Sequence, residues 1–218
     1  MRRLQHRPFG KALRAFLLLL LVSAGAITWS ATRKTDPLVV NDISQLNPIR
    51  VAEVITPKST EEIVEAVRTH SGGGRYSMGG QTATEGALHI DMRQFDRILA
   101  LDAKQKSITV QAGTNWRQIQ ERIDAENLSV KVMQSYANFT VGGSLSVNAH
   151  GRYIGLGPIV TSVRSIKVVL PDGTLVEASR TENREIFATN CGINTLPSSS
   201  SSALATTRIL PAFQICPS

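Results

Sequence analysis

Residues 140–151 read Thr140-Val141-Gly142-Gly143-Ser144-Leu145-Ser146-Val147-Asn148-Ala149-His150-Gly151, a glycine pair followed by small polar residues and a second glycine. Glycine has no Cβ, so successive backbone N–H groups turn the same way and approach a ligand closely, making a nest suited to phosphate. Gly155 and Gly157 extend this patch. Gly72, Gly73, Gly74, Gly79, Gly80 and Gly86 form a second one upstream, so two stretches hold 11 of the 16 glycines. Between them Ser77, Thr82, Thr84, Thr140, Ser144, Ser146 and Asn148 add donors without bulk. Two such loops suit the two sides of a diphosphate; flexible surface turns remain the competing reading for either patch alone. No Gly-Lys-Ser/Thr ends either patch and Gly142-Gly143 does not make G-x-G-x-x-G, so a triphosphate or nicotinamide site loses its main support.

Outward from the glycines the chain alternates short strands and helices. Val51–Ile55 reads as a strand, and Ser59 with Glu62 three positions on has capping-box spacing for a helix carrying Ile63, Ala66 and Val67 on one face, with Gly72 as its stop. Ala87–Asp91 reads as a strand, and Arg97–Leu101 with Ser107–Gln111 as a hairpin. Thr114 is placed to cap a helix running to about Glu126, with Trp116, Ile119 and Ile123 packed into a core. Ser165–Leu170 and Thr174–Ala178 flank Pro171-Asp172-Gly173, a turn signal with a mechanism. The fold class expected is α+β, with residues 35–50 as a linker, 51–192 as the folded domain and 193–218 as an irregular, low-complexity tail.

The 218-residue chain is long enough for one well-cored domain and too short for two large ones. Its net charge of +7 invites a nucleic-acid reading until the charges are located. Arg2, Arg3, Arg7, Lys11, Arg14, Arg33 and Lys34 precede the first acid, Asp36, which leaves 17 of the 24 bases against all 17 acids in the body. A neutral body lacks the footprint of a phosphate-backbone binder, so no nucleic-acid partner is expected. Residues 1–34 set bases before an uncharged run from Ala15 to Thr32, the order that drives export of the downstream chain. Ala24-Gly25-Ala26 fits a small-x-small cleavage site of a signal peptide, whereas the 18 uncharged residues and Trp29 fit a membrane anchor. Both stay open, and both place the body at the membrane or exported to its extracytoplasmic, periplasmic side.

Several ordered motifs together resemble the FAD-linked oxidases whose FAD-binding domain is of the p-cresol methylhydroxylase and vanillyl-alcohol oxidase type, nearest in feel to aldonolactone and sugar-alcohol oxidases. They are Val54-Ile55-Thr56-Pro57 with Glu61-Glu62-Ile63; Gly72-Gly73-Gly74-Arg75-Tyr76-Ser77; Ile90-Asp91-Met92 with Phe95-Asp96-Arg97-Ile98; Val110-Gln111-Ala112-Gly113; Thr140-Val141-Gly142-Gly143; Ala149-His150-Gly151; and Val168-Val169-Leu170-Pro171-Asp172-Gly173. The resemblance implies two small α+β subdomains with FAD between them. It assigns the pyrophosphate to Gly72, Gly73, Gly74, Arg75, Tyr76 and Ser77, and the flavin side to Val141, Gly142, Gly143, Ser146, Asn148, His150 and Gly151. The adenosine end falls to Ile166 and Val168. It also implies an alcohol or lactone-type small-molecule substrate, hydride transfer to the flavin, and oxygen or a membrane electron acceptor.

The chain departs from the family pattern at three places. Many relatives carry a histidine after the triple glycine and bond it to the flavin; Arg75 stands there and cannot, so noncovalent FAD is expected. His70-Ser71 runs straight into Gly72, leaving no room for a short apolar strand usual in relatives. After Asn190-Cys191-Gly192 the family pattern stops, and the substrate domain expected next is not seen, so an inactive FAD-binding module or remnant is the alternative function. No general base is identified: His150 reads as a structural or flavin-edge contact. His70 and His89 lack metal-ligand spacing, so no metal is expected. Cys191 and Cys216 are placed for a disulfide only if the tail is ordered.

Overall fold

The computed structural model describes residues 9–32, 36–67, 83, 85–152, 154–170, 172–190 and 207–217. The chain divides into two units, Met1–Asp36 and Pro37–Ser218. Among the described residues of the first is a helix, α1 (Phe9–Thr32), whose Ala12–Ser30 stretch is long and apolar enough to cross a membrane.

The second unit begins with β1 (Val39–Val40) and β2 (Ile49–Arg50), an antiparallel pair. This corrects the linker expected over 35–50. Asp42 is buried between the strands, where its carboxylate accepts from the Ser44 N–H at 2.9 Å, and Gln45 takes a positive φ of 57° to close the turn. β3 (Glu53–Ile55) leads to α2 (Thr60–Val67), and β4 (Leu88–Ile90) returns parallel to β3. The capping expected at Ser59 is present: the Glu62 N–H donates to the Ser59 hydroxyl at 3.2 Å, and the Glu62 carboxylate reaches back to the Lys58 N–H at 2.9 Å. Ile63, Ala66 and Val67 are buried, as their spacing implies. The first glycine patch apart from Gly86, and the expectation of a missing strand before it, lie outside the described residues.

A 3-10 turn at Met92–Gln94 leads to β5 (Ile98–Asp102) and β6 (Ser107–Val110), the expected hairpin. α3 (Trp116–Asp124) starts one residue later than its sequence suggests. Asn115 is the cap, its side chain accepting from the Gln118 N–H, while the buried Thr114 hydroxyl lies 3.4 Å from the Arg97 carbonyl. The sequence reading passed over β7 (Leu128–Val130) and two short helices, α4 (Val141–Ser146) and, after the sheet, α5 (Arg184–Asn190). A second 3-10 turn, Ile159–Ser162, feeds β8 (Val163–Val169), which pairs with β9 (Leu175–Ser179) around a turn where Gly173 has φ 85° and the Thr174 N–H donates to Asp172.

The largest correction is β10, Thr207–Pro217, a strand where an irregular tail was expected over 193–218. It lies in the middle of a six-stranded antiparallel sheet of order β5-β6-β10-β8-β9, with β7 also paired to β10. Without it β6 and β8 would each present an unpaired edge in the centre of the unit. Pro211 cannot donate to a ladder, and it sits between two register shifts against β8, the place where a central strand tolerates it. The buried face of α3 (Trp116, Ile119, Ile123) packs with Ile108, Val110, Ile166 and Val168 in the main core. A smaller core joins Ile63, Ala66, Ile90, Met92, Phe95 and Ala112. Trp116, Ile119 and Ile123 therefore serve the core, as their spacing indicates.

Candidate flavin-binding site

The separate sequence motifs meet through their backbones. The Gly113 N–H donates to the Phe95 carbonyl at 2.8 Å and the Gln111 N–H to the Arg97 carbonyl at 2.9 Å, while the Gln111 side chain accepts from the Arg97 N–H at 2.8 Å. These bonds lay 111–113 along 95–97. On the other side the Gly142 N–H donates to the Ala112 carbonyl and the Val141 N–H to the Thr114 carbonyl, both at 2.8 Å. The starts of α3 and α4 are thus satisfied reciprocally: Trp116 and Arg117 N–H groups donate to the Phe139 and Ala137 carbonyls. A helix start whose orphan amides are mostly spent this way holds its loop rigidly.

Close approach explains two of the glycines. A Cβ on Gly113 would lie 1.9 Å from the Met92 carbonyl oxygen, and one on Gly142 would lie 3.0 Å from both the Cβ and the carbonyl oxygen of Ala112. Neither glycine is a cradle that a ligand fills, because the chain itself fills the space. Ser144 is likewise spent inside: its buried hydroxyl accepts from the Trp116 indole N–H at 3.0 Å and sits against the Thr140 carbonyl and the Gln134 side chain. Sequence reasoning missed this chain of bonds; the signal was Ser144 four residues after Thr140, the spacing for an internal helix bond.

Within 143–151, Ser146, Val147 and His150 are exposed and Gly143, Asn148 and Gly151 half-buried, while Ser144, Leu145 and Ala149 point inward. Among the described residues the Gly143 N–H has no acceptor, alone in the first turn of α4. Ser146 is exposed, its hydroxyl donating to the Gly142 carbonyl at 2.9 Å. Asn148 holds a left-handed conformation, φ 44°, and its side-chain oxygen accepts from the Val160 N–H at 3.3 Å. His150 is exposed, with Nδ1 3.3 Å from the neighbouring Gly151 carbonyl, and pairs by a bridge with Pro158. Of the residues the resemblance assigns to the flavin side, Ser146 and His150 are exposed, Gly142, Gly143, Asn148 and Gly151 are half-buried, and Val141 is buried in the core. Ile166 and Val168 stand elsewhere: both are fully buried in β8, with β9 on one side and β10 on the other. Gly72, Gly73, Gly74, Arg75, Tyr76 and Ser77 lie outside the described residues.

The FAD binding domain family matches residues 51–179, more than half of the chain and the whole of this stitched region. The chain belongs to that family. FAD is its cofactor, and the resemblance to FAD-linked oxidases with a domain of the p-cresol methylhydroxylase type holds. The FAD domain is similar to L-gulonolactone oxidase of Bos taurus, at 27% identity over 139 residues that cover 60% of this chain and 31% of the relative. It is 32% identical over 108 residues to L-galactono-1,4-lactone dehydrogenase 1, mitochondrial, of Oryza sativa subsp. japonica, covering 49% of this chain and 18% of the relative. Cytokinin dehydrogenase 2 of Arabidopsis thaliana matches at 26% over 171 residues, 72% of this chain and 34% of the relative. The chain spans about a third or less of the length of these relatives. All are oxidases or dehydrogenases by name, so the chain is related to lactone oxidases within an FAD-linked oxidoreductase family.

The donor set of the FAD domain fits this cofactor. A flavin and its diphosphate present mostly acceptors at their polar edges, and this segment offers the Gly143 amide and the exposed His150 imidazole, while the Ser146 hydroxyl already donates to the Gly142 carbonyl.

Proposed function

We propose that this chain is the FAD module of an oxidoreductase that takes hydride from an alcohol or lactone-type donor, with FAD held noncovalently between the segment 72–77 and the edge 141–151. The observation that supports it is the stitching of motifs 95–97, 111–114 and 140–142 into one frame that leaves the Gly143 N–H without an acceptor among the described residues and Ser146 and His150 exposed beside it. When bound, FAD supplies the hydride acceptor, reoxidised by oxygen or a membrane acceptor. The chain's own share is to orient: the Gly143 amide donates to an acceptor oxygen, Ser146 and Asn148 hold the edge in shape, and His150 faces the solvent side. Arg75 is a cation that pairs with phosphate and cannot form the covalent flavin linkage.

Noncovalent attachment is tested by precipitating the purified, yellow protein with acid. The flavin absorbance leaves with the supernatant; absorbance retained on the pellet contradicts the reading. A second reading, an FAD-binding module without turnover, is favoured by one observation: His150 turns Nδ1 to its neighbour's carbonyl, and no general base is placed by the described edge. Bleaching of bound flavin by lactones or sugar alcohols under anaerobic conditions supports the enzyme, and persistent colour with every donor supports the module.

The leader's part in this function is to put the module at a membrane or export it across one. Support comes from the 24-residue length of α1, about 36 Å, and from its polar side chains: the Thr28 hydroxyl donates to the Ala24 carbonyl at 2.9 Å and the Thr32 hydroxyl to the Thr28 carbonyl at 2.8 Å. Hydroxyls bonded to their own helix carry no unmet donor into hydrocarbon. Intact mass and alkaline extraction of membranes separate the cases: a full-length, extraction-resistant chain is anchored, a chain shortened after Ala26 is exported, and a full-length soluble chain contradicts both.

A further inference from the structure

Arg180 lies just past the matched family region and away from every motif that carried the resemblance. Its guanidinium Nη2 donates to the Val160 carbonyl at 2.5 Å and lies over the buried Phe187 ring, 5.6 Å from the centroid. Val160 in turn donates its N–H to the Asn148 side-chain oxygen at 3.3 Å. One residue of the Ile159–Ser162 turn, through its two adjacent peptide groups, therefore connects a cation on the sheet's edge to the left-handed residue of the candidate flavin edge. Ala149 is tied to the same turn, its carbonyl accepting from the Ile159 N–H at 2.8 Å.

The base under Arg180 is stiff. The Ser179 hydroxyl accepts from the Glu182 N–H at 3.0 Å, the Ser179 N–H donates to the Glu182 carbonyl at 2.7 Å, and the Asn183 amide donates to the Glu177 carbonyl at 2.7 Å. A guanidinium held on both sides, by Phe187 below and a carbonyl ahead, has little freedom left and fixes its bonding partner. A non-glycine residue such as Asn148 stays at positive φ only when its surroundings over-determine it.

Resting on the FAD reading, we propose that Arg180 is a positioning residue for the flavin edge, acting through Val160 to hold Asn148 and thereby the His150-Gly151 backbone in the binding conformation. The ligand side is the acceptor-rich edge of a flavin; Arg180 itself touches none of it.

The experiment is FAD titration of the full chain by quenching of flavin fluorescence, on Arg180→Ala, Arg180→Lys, Asn148→Ala and the Arg180→Ala/Asn148→Ala pair. Arg164→Ala, whose guanidinium bonds Gln105 at the hairpin tip, is the control. Arg180→Ala weakens FAD about tenfold, the size of one charge-assisted bond, and Arg180→Lys restores most of it. The double variant is no weaker than the worse single one, since both cut one connection. Hydrogen exchange at the Val160 amide quickens in Arg180→Ala while β8 and β9 amides keep their rates, and this reads the connection even in apo protein. Wild-type FAD affinity in Arg180→Ala, additive losses in the double variant, or an unchanged Val160 amide overturns the proposal. Wild-type chain that binds no FAD overturns the parent reading instead, and is seen before any variant is made.

Discussion

Gly113 and Gly142 on one hand, and Gly155 and Gly157 on the other, look alike in the sequence and do opposite work. The first pair is pressed against other backbone, so that a Cβ would meet Met92 or Ala112 within 3.0 Å. The second pair is exposed and has φ of 83° and 72°, with open space or an ordinary contact where a Cβ would go. Glycine is there needed for the angle, not for room. The difference teaches that glycine density marks two devices: close chain packing that makes a frame, and left-handed turns that shape a loop on it. Between the two lies the segment from Gly143 to Gly151, whose exposed side chains include Ser146 and His150.

That contrast can be broken by substitution, starting where the effect is largest. Gly113→Ala drives a methyl into the Met92 carbonyl, and we expect a loss of about 3 kcal/mol or failure to fold, read by denaturant unfolding. Gly142→Ala gains helix propensity but pushes on Ala112, for a net cost of about 1 kcal/mol. At Gly155 the expectation inverts with residue type: alanine costs about 1 kcal/mol for its left-handed angle, while asparagine, tolerant of that region, costs distinctly less. Should Gly142→Asn be as mild as Gly155→Asn, the division between frame and loop fails.

The smallest effect is on pH. The Glu61 carboxyl sits below its ordinary range, held first by its own backbone N–H and then by Ser59 at the start of α2. A lowered folded pKa means the charged form is favoured by folding, so this stability is present above the unfolded value and is lost as pH falls through the folded one. Glu61→Gln therefore lowers thermal stability slightly at neutral pH and leaves it unchanged at acid pH, where the carboxyl is protonated in either state, so the acid limb flattens; an equal loss at both pH values contradicts the assignment.

Much of this was legible beforehand because it rests on local chemistry. The Ser59–Glu62 cap, the hairpin of β5 and β6 and the turn before Thr174 each follow from residues a few positions apart. The family motifs were readable as a set, though their meeting through Gln111 to Gly113 is a long-range fact with no local trace. β10 was hidden because its strand character comes from two waiting edges, β6 and β8, and its own prolines argue against a central strand. α4 was hidden because glycines at its second and third positions oppose a helix, and only the reciprocal bonds to Ala112 and Thr114 hold it. Ile166 and Val168 were assigned to the ligand by resemblance, and the structure puts both side chains in the core.

That this frame holds FAD is the central proposal, and thermal melting of the full-length chain across an FAD titration tests it most directly. Ligand that binds only the folded state at a hundred times its Kd adds about 2.7 kcal/mol, so the midpoint climbs by several degrees and bound flavin absorbs in the visible. A midpoint that stays put through saturating FAD, with all the colour passing through a desalting column as free flavin, contradicts the account.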